Sequence, residues 1–162
     1  MTDVRIGTGF DAHRLVDGRP LMLGGVHIPH PRGLEGHSDG DCLLHAVCDA
    51  ILGALAAGDM GGHFASTDAR WKGAASLRFL ETVARLLGER GYALGNLDAT
   101  VIAQAPALAP HLDAMRAQIA RALGAPVEVV SVKAKSTDGL GTIGRGEGMA
   151  AQAVVVLQRR QR

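Results

Sequence analysis

Residues 5–14 read Arg-Ile-Gly-Thr-Gly-Phe-Asp-Ala-His-Arg (RIGTGFDAHR), and whether this stretch is extended decides the fold. Apolar and aromatic positions interleaved with glycines, with no helical repeat, read as a strand. In a strand, side chains at i and i+2 point to one face, so Asp11 and His13 converge on a common point. A carboxylate and an imidazole meeting there suggest a metal, although for the pair alone an Asp–His hydrogen bond at a sheet end is the commoner outcome. A third ligand from elsewhere in the chain separates the two readings.

"RPLMLGGVHIP" (19–29) reads as a hairpin, with Gly24 and Gly25 supplying the positive φ of a tight turn. "HPRGLEGHSDGD" (30–41) is dense in turn formers and reads as a loop. In "DCLLHAVCDAILGALAA" (41–57), Leu44, Val47, Cys48, Ile51, Leu52 and Leu55 form a stripe at the helical period; Ser38, Asp39 or Asp41 caps its start, and Gly58 follows its end. Residues 58–76 have no periodicity and read as a lid or substrate loop. "SLRFLETVARLLGERG" (76–91) is a second helix, "ALGNLDATVIAQ" (93–104) a strand, "LAPHLDAMRAQIARALG" (108–124) a third helix, and "VEVVSVKAKS" (127–136) and "EGMAAQAVVVLQ" (147–158) the last strands. The order β-β-β-α-α-β-α-β-β predicts an α+β fold, one domain over residues 1–162, with a mixed β-sheet and three helices packed on one face.

Composition narrows the function. The 162 residues carry 17 basic and 16 acidic side chains for a net charge of +1. No basic stripe argues for nucleic acid, no apolar run is long enough for a membrane span, and the first residues lack the pattern of a signal peptide. The expectation is a cytoplasmic protein. Cys42 and Cys48 lie on one helix with backbones about 9 Å apart, too far to pair. With 22 glycines and 3% aromatics, the core must be built from Ala, Leu, Val and Ile at close backbone approach.

His45, on the first helix, offers the third ligand. Asp41 and Asp49 flank it one turn away on either side, all three within about 80° of arc, so an adjacent acid can take the second ring N–H of a metal-bound imidazole. Asp11, His13 and His45 would make a two-histidine, one-carboxylate set with one open position, the pattern of a catalytic zinc. "KAKSTDGLGTIGRGEG" (133–148) gathers Lys133, Lys135, Ser136, Thr137 and Arg145 among glycines, which suits an anion such as phosphate. Asp59 and Asp138 are further acids near these segments. His27 and His30 read as solvated, His63 as part of the lid, His111 as a first-turn helix residue, and Trp71 and Tyr92 as packing residues.

"GFDAHR", "LGGVHIP", "GLEGHSDGDCLLHAVCDAILGA", "GDMGGHF", "AQAP" and "GRGEG", in this order from about Arg5 to Leu157, closely resemble the 2-C-methyl-D-erythritol 2,4-cyclodiphosphate synthase family. The resemblance implies an enzyme of non-mevalonate isoprenoid synthesis, a CMP-forming phosphorus–oxygen lyase that cyclises 4-diphosphocytidyl-2-C-methyl-D-erythritol 2-phosphate. It implies zinc on Asp11, His13 and His45, with Asp11 and His13 also facing the substrate, and a second divalent ion, Mg2+ or Mn2+, at Asp138. His37 and Ser38 match contacts to the methylerythritol phosphate; His37 and Ser136 match the residues credited with stabilising the transition state. Asp59, Met60, Gly61, Phe64, Ala65, Ser66, Thr67 and Asp68 match the substrate loop. Ala103, Gln104, Ala105, Pro106, Ala107, Leu108 and Ala109 match the cytosine segment, and Lys135, Ser136, Thr137 and Asp138 the diphosphate contacts. A homotrimer is implied, its sheets lining a central axis and its active sites between subunits; Thr142 and Arg145 fall by the axis cavity, where an isoprenoid diphosphate can lodge. Asp138, Ser136, Ala107 and Thr142 stand where the family commonly has glutamate, threonine, lysine and an aromatic residue. Two rival classes use many of the same residues: a zinc phosphohydrolase, in which water replaces the internal phosphate, and a non-catalytic trimer that binds isoprenoid phosphates.

Overall fold

The computed structural model describes residues 3–160. Strand β1 (Val4–Asp17) runs antiparallel to β7 (Gly148–Arg159), with Asp11 opposite Ala151 and His13 opposite Met149. β5 (Tyr92–Ile102) pairs antiparallel with β7 and parallel with β6 (Val130–Lys135), and β4 (Arg32–Leu34) closes the far edge against the end of β1. The sheet order is β4-β1-β7-β5-β6, a mixed sheet, and β2 (Leu21–Leu23) and β3 (Val26–Ile28) form a separate hairpin. Helices α1 (Cys42–Ala54), α2 (Ser76–Glu89) and α3 (Leu112–Leu123) supply the other layer.

The junction of β1 with α1 explains the glycine content. A Cβ built on Gly9 would lie 2.0 Å from the Ala46 carbonyl oxygen, and one on Gly7 would lie 2.0 Å from that of Ala50. Backbone therefore packs on backbone. Two residues of strand advance about 6.6 Å and four residues of helix about 6.0 Å, so Gly7 and Gly9 keep step with Ala50 and Ala46 along the contact. The same alternation turns Asp11 and His13 toward α1, where His45 sits one position before Ala46.

The predicted fold class holds, with local corrections. The segment read as a loop contains β4, a three-residue strand; its turn-forming composition hides it, and pairing with the end of a long β1 imposes the extended conformation. α1 is buried almost all round rather than along a stripe, because the sheet, α2 and the β2–β3 hairpin cover it from different sides. The stretch read as structureless carries two short helical turns, Met60–His63 and Ala69–Trp71, and the glycine-rich tail segment carries a third, Gly141–Gly144. Of the three proposed caps, Asp41 is the one used. It accepts from Leu44 N at 3.0 Å, and it also accepts from Gly24 N and Gly25 N at 3.0 and 2.7 Å, so one buried carboxylate ties the hairpin turn to the start of α1. The positive φ at both glycines is as expected.

The face of the sheet away from the helices is apolar and open. Ile6 is 67% exposed and Phe10 63%, with Val4 and Val154 beside them on β1 and β7. Isolated exposed apolar side chains are ordinary, but four on one flat sheet face make a patch of the kind that marks an interaction surface.

Candidate active site

The three proposed ligand atoms meet. Asp11 Oδ2 lies 2.8 Å from His13 Nε2 and 2.9 Å from His45 Nδ1, and the two ring nitrogens are 3.3 Å apart. Among the described residues this is the group of His, Cys, Asp and Glu side chains with the spacing to hold a metal ion. Donors about 2.0–2.1 Å from a tetrahedral ion stand about 3.3–3.4 Å from one another, so the triangle needs to open by no more than about half an ångström to take one. The residues fit a divalent cation with a coordination position left for substrate.

Electrostatics agree with the geometry. Burial pushes the Asp11 carboxyl up, but hydrogen bonds from His13 and His45 outweigh it and hold the group well below the usual carboxylate range. The bond to Asp11 raises His13 above its ordinary value, against the opposing effect of burial. The metal-free site thus pairs a carboxylate with an imidazole that favours its protonated form, and a cation entering there displaces the His13 proton.

The acids expected to support His45 do other work. Asp41 is turned to the hairpin, and Asp49 accepts from Met60 N at 2.7 Å, anchoring the start of the Met60–His63 turn. The second ring nitrogen of His45 instead faces hydroxyls: Ser76 Oγ at 2.9 Å and Ser38 Oγ at 3.2 Å. Ser76 in turn bonds to Asp39 through its hydroxyl and, at 3.0 Å, through its backbone N–H. Ser76 carries no signal in the sequence beyond its place at the first turn of α2, and it reaches His45 only because α2 crosses α1 there.

A cleft of about 290 Å3 opens beside the ligand set, lined by Asp11, His13, His37, Ser38, His45, Met60, Gly61, Phe64, Ser66, Trp71 and Phe79. One wall is aromatic. Phe64 and Phe79 stand 4.7 Å apart between ring centroids, and Trp71 meets them edge-on at 5.2 and 5.3 Å, so three of the five aromatic residues of the chain gather here. Trp71, expected to pack, packs and lines the cleft at once. Asp59 caps the short Met60–His63 helix by accepting from Gly62 N at 2.8 Å, while Asp68 caps the next turn and pairs with Arg70 at 2.6 Å. Ala65 and Thr67 are exposed and do not line the cleft.

The remaining predicted residues form a second group, which does not line this cleft. Ala103 N donates to the Lys135 carbonyl at 2.9 Å and Gly139 N to Gln104 Oε1 at 3.1 Å, so Ala103–Ala109 and Lys135–Asp138 lie together at the ends of β5 and β6. Ser136 Oγ and Asp138 Oδ1 are 3.1 Å apart in an exposed turn. Thr142 lines a separate cavity of about 390 Å3 with Phe10 and Met149, and Arg145 pairs with Glu147 at 2.6 Å. One chain thus carries two separate halves of the expected site.

Comparison with known proteins bears on what these halves serve. The profile of the YgbB family matches residues 4–158. The chain belongs to the YgbB family. A Salinibacter ruber protein named 2-C-methyl-D-erythritol 2,4-cyclodiphosphate synthase is 58% identical over 155 residues, covering 96% of this chain and 99% of that protein. A Burkholderia thailandensis protein of the same name is 56% identical over 157 residues, covering 97% of each. Among solved structures, a CDP-bound 2C-methyl-D-erythritol-2,4-cyclodiphosphate synthase superposes with a TM-score of 0.87 at 40% identity, covering 94% of this chain and 99% of that one. The bifunctional IspDF of Campylobacter jejuni superposes with a TM-score of 0.95 at 41% identity; it covers 99% of this chain, which spans 44% of that longer protein. The YgbB fold seen here is therefore the mixed α+β fold of those synthases, with the ligand set at its cleft. Among the described residues, no helix is long and apolar enough to cross a membrane.

Proposed function

We propose that this chain closes 4-diphosphocytidyl-2-C-methyl-D-erythritol 2-phosphate to 2-C-methyl-D-erythritol 2,4-cyclodiphosphate, releasing CMP. The observation that carries the reading is the convergence of Asp11 Oδ2, His13 Nε2 and His45 Nδ1 at a cleft, in a YgbB chain 58% identical to a protein named for that synthesis. An oxygen of the 2-phosphate attacks the β-phosphorus, the bond from that phosphorus to the bridging oxygen breaks, and CMP leaves with the electron pair.

The difficulty is charge. Two unit charges at 4 Å repel by about 4 kcal/mol at an effective dielectric of 20, and both reacting groups are anionic. Asp11, His13 and His45 would hold zinc, and Asp138, completed by substrate oxygens, a second divalent ion, Mg2+ or Mn2+. Dications bound there supply charge neutralisation for the attacked diphosphate and the departing CMP. The chain's own residues do the positioning. His37 Nε2 lies 3.5 Å from the Asp68 carbonyl, too long for a strong bond, and is free to donate to a phosphate oxygen. Ser38 sits buried beside it. Phe64, Trp71 and Phe79 keep water from one side of the cleft, which favours internal attack over hydrolysis.

The cleft lies at the lower end of the usual range for small-molecule sites, enough for the methylerythritol phosphate but not for the nucleotide as well. Cytidine goes to the Ala103–Ala109 segment with Lys135, Ser136 and Thr137 on the diphosphate, and the two halves are brought together by assembly. A homotrimer formed through the apolar sheet face of Val4, Ile6, Phe10 and Val154 accounts for both the open patch and the divided site. Such a trimer leaves the Thr142 cavity and Arg145 near its axis, where an isoprenoid diphosphate is the ligand, and works in the cytoplasm.

The test is phosphorus NMR of the purified protein with the cytidine substrate, zinc and magnesium, alongside His45→Ala. Two mutually coupled phosphorus signals accompanying CMP, absent from the variant, are expected. Uncoupled monophosphate signals with CMP would instead mean hydrolysis and overturn the reading.

A further inference from the structure

We propose that Ser76, oriented by Asp39, is a positioning residue that selects which ring nitrogen of His45 is presented to the metal. The inference rests on the reading of Asp11, His13 and His45 as a ligand set. Ser76 is fully buried, yet its hydroxyl is not idle. It lies between His45 Nε2, at 2.9 Å, and Asp39 Oδ1.

The direction of each hydrogen bond follows from donor and acceptor capacity. Asp39 Oδ2 accepts from the Ser76 backbone N–H at 3.0 Å, and Oδ1 accepts from Asp41 N–H at 3.3 Å. Both oxygens accept from groups that can only donate, and a carboxylate has no hydrogen of its own to give. The Ser76 hydroxyl must therefore give its hydrogen to Asp39, and its lone pair faces His45. In the metal-free chain the Asp11 carboxylate at Nδ1, 2.9 Å away, and the Ser76 lone pair at Nε2 compete for the ring hydrogen of His45; by holding that hydrogen at Nε2, Ser76 frees on Nδ1 the lone pair that a metal requires. Without that directed bond, the nearby Ser38 hydroxyl, which can donate or accept, leaves the tautomer of His45 unspecified. Asp39 is itself held by its backbone N–H on the Ala74 carbonyl at 3.1 Å, so the chain of bonds starts from fixed backbone just before α2.

The sequence places Asp39 in the loop before α1 and Ser76 at the first turn of α2, 37 residues apart. Their role is visible only where the helices cross.

The experiment compares zinc binding by the parent protein, Ser76→Ala, Ser76→Cys and Asp39→Asn, by competition with a chromophoric chelator. It adds metal-free thermal melting and nitrogen-15 NMR of the histidine rings. Outer-shell partners of metal-bound histidines are commonly worth about 10–100-fold in metal affinity, and a loss in that range is expected for each variant. Ser76→Cys keeps the shape of the side chain with a much poorer acceptor, so a loss there is not the effect of a cavity. In metal-free Asp39→Asn, the nitrogen shifts should report more of the Nδ1–H form of His45, a change that a purely structural role would not produce. Folded variants that bind zinc within about twofold of the parent, with the parental tautomer, overturn the proposal. A parent protein that binds no zinc overturns the ligand-set reading and this inference with it.

Discussion

Gly9→Ala tests whether the close approach of β1 and α1 is what assembles the candidate site. The added Cβ would stand 2.0 Å from the Ala46 carbonyl oxygen and 2.7 Å from Ala50 N. Carbon–oxygen contacts settle at about 3.3 Å, so α1 must retreat by about 1.3 Å at that turn. The colliding atoms are backbone inside a buried interface and have no rotamer through which to escape. Overpacking of this kind costs about 1–3 kcal/mol, and the upper end applies because the helix moves as a unit. For a chain of this size that corresponds to a fall of about 6–12 °C in melting temperature. The same movement carries His45 Nδ1 away from Asp11 Oδ2, now 2.9 Å distant, whereas metal ligands tolerate only about 0.2 Å. The assay is thermal melting of metal-free protein together with zinc titration, with Gly53→Ala as the control. Gly53 lies on the solvent side of α1, where a Cβ would meet nothing nearer than the Thr8 carbonyl oxygen at 3.8 Å, so alanine should stabilise by about 0.5–1 kcal/mol. A Gly9→Ala protein that melts within about 2 °C of the parent and binds zinc equally well would refute the packing argument.

The other predictions concern protonation, the hairpin and assembly. In the metal-free chain the raised His13 stabilises the fold fully below its ordinary value of 6.5 and loses that contribution as pH rises through the raised value. The lowered Asp11 contributes above its ordinary value of 3.8, and so does not change between neutral and mildly acidic pH. Chelator-treated protein should therefore melt higher near pH 6 than near pH 8 from this pair. The gain in melting temperature on adding zinc should run the other way, growing with pH because the metal displaces the His13 proton; a gain independent of pH would contradict it. Asp41→Ala strips three backbone N–H groups of their acceptor and should cost about 3 kcal/mol or more in urea denaturation, with the slope unchanged; a loss under about 1 kcal/mol would mean that the hairpin is held otherwise. Ile6→Glu, at a position 67% exposed in the single chain, should leave metal-free folding intact but abolish assembly and turnover. Sedimentation that still shows the assembled species would remove the sheet face as the interface.

Elements whose signal is local are legible in the chain. Alternation placed Asp11 and His13 on one face of β1, the helical period located α1 and His45, and paired glycines marked the hairpin turn; these are short-range consequences of backbone geometry. The ordered motifs also carried the resemblance that the family match then bore out. The remainder follows from packing. β4 exists because the end of β1 offers it a partner, and no pattern in its three residues announces it. Asp41 and Asp49, which helical spacing alone places around His45, are drawn instead to a hairpin turn and to the Met60–His63 turn, because unpaired backbone N–H groups there are better partners. Ser76 and Asp39 take the support of His45 from segments far apart in the chain. The glycines at positions 7 and 9 explain why such distant pieces meet: only side chains of zero size let helix and strand approach closely enough for three ligand atoms to share one point. That distance is a property of packed backbones, and a sequence read residue by residue does not contain it.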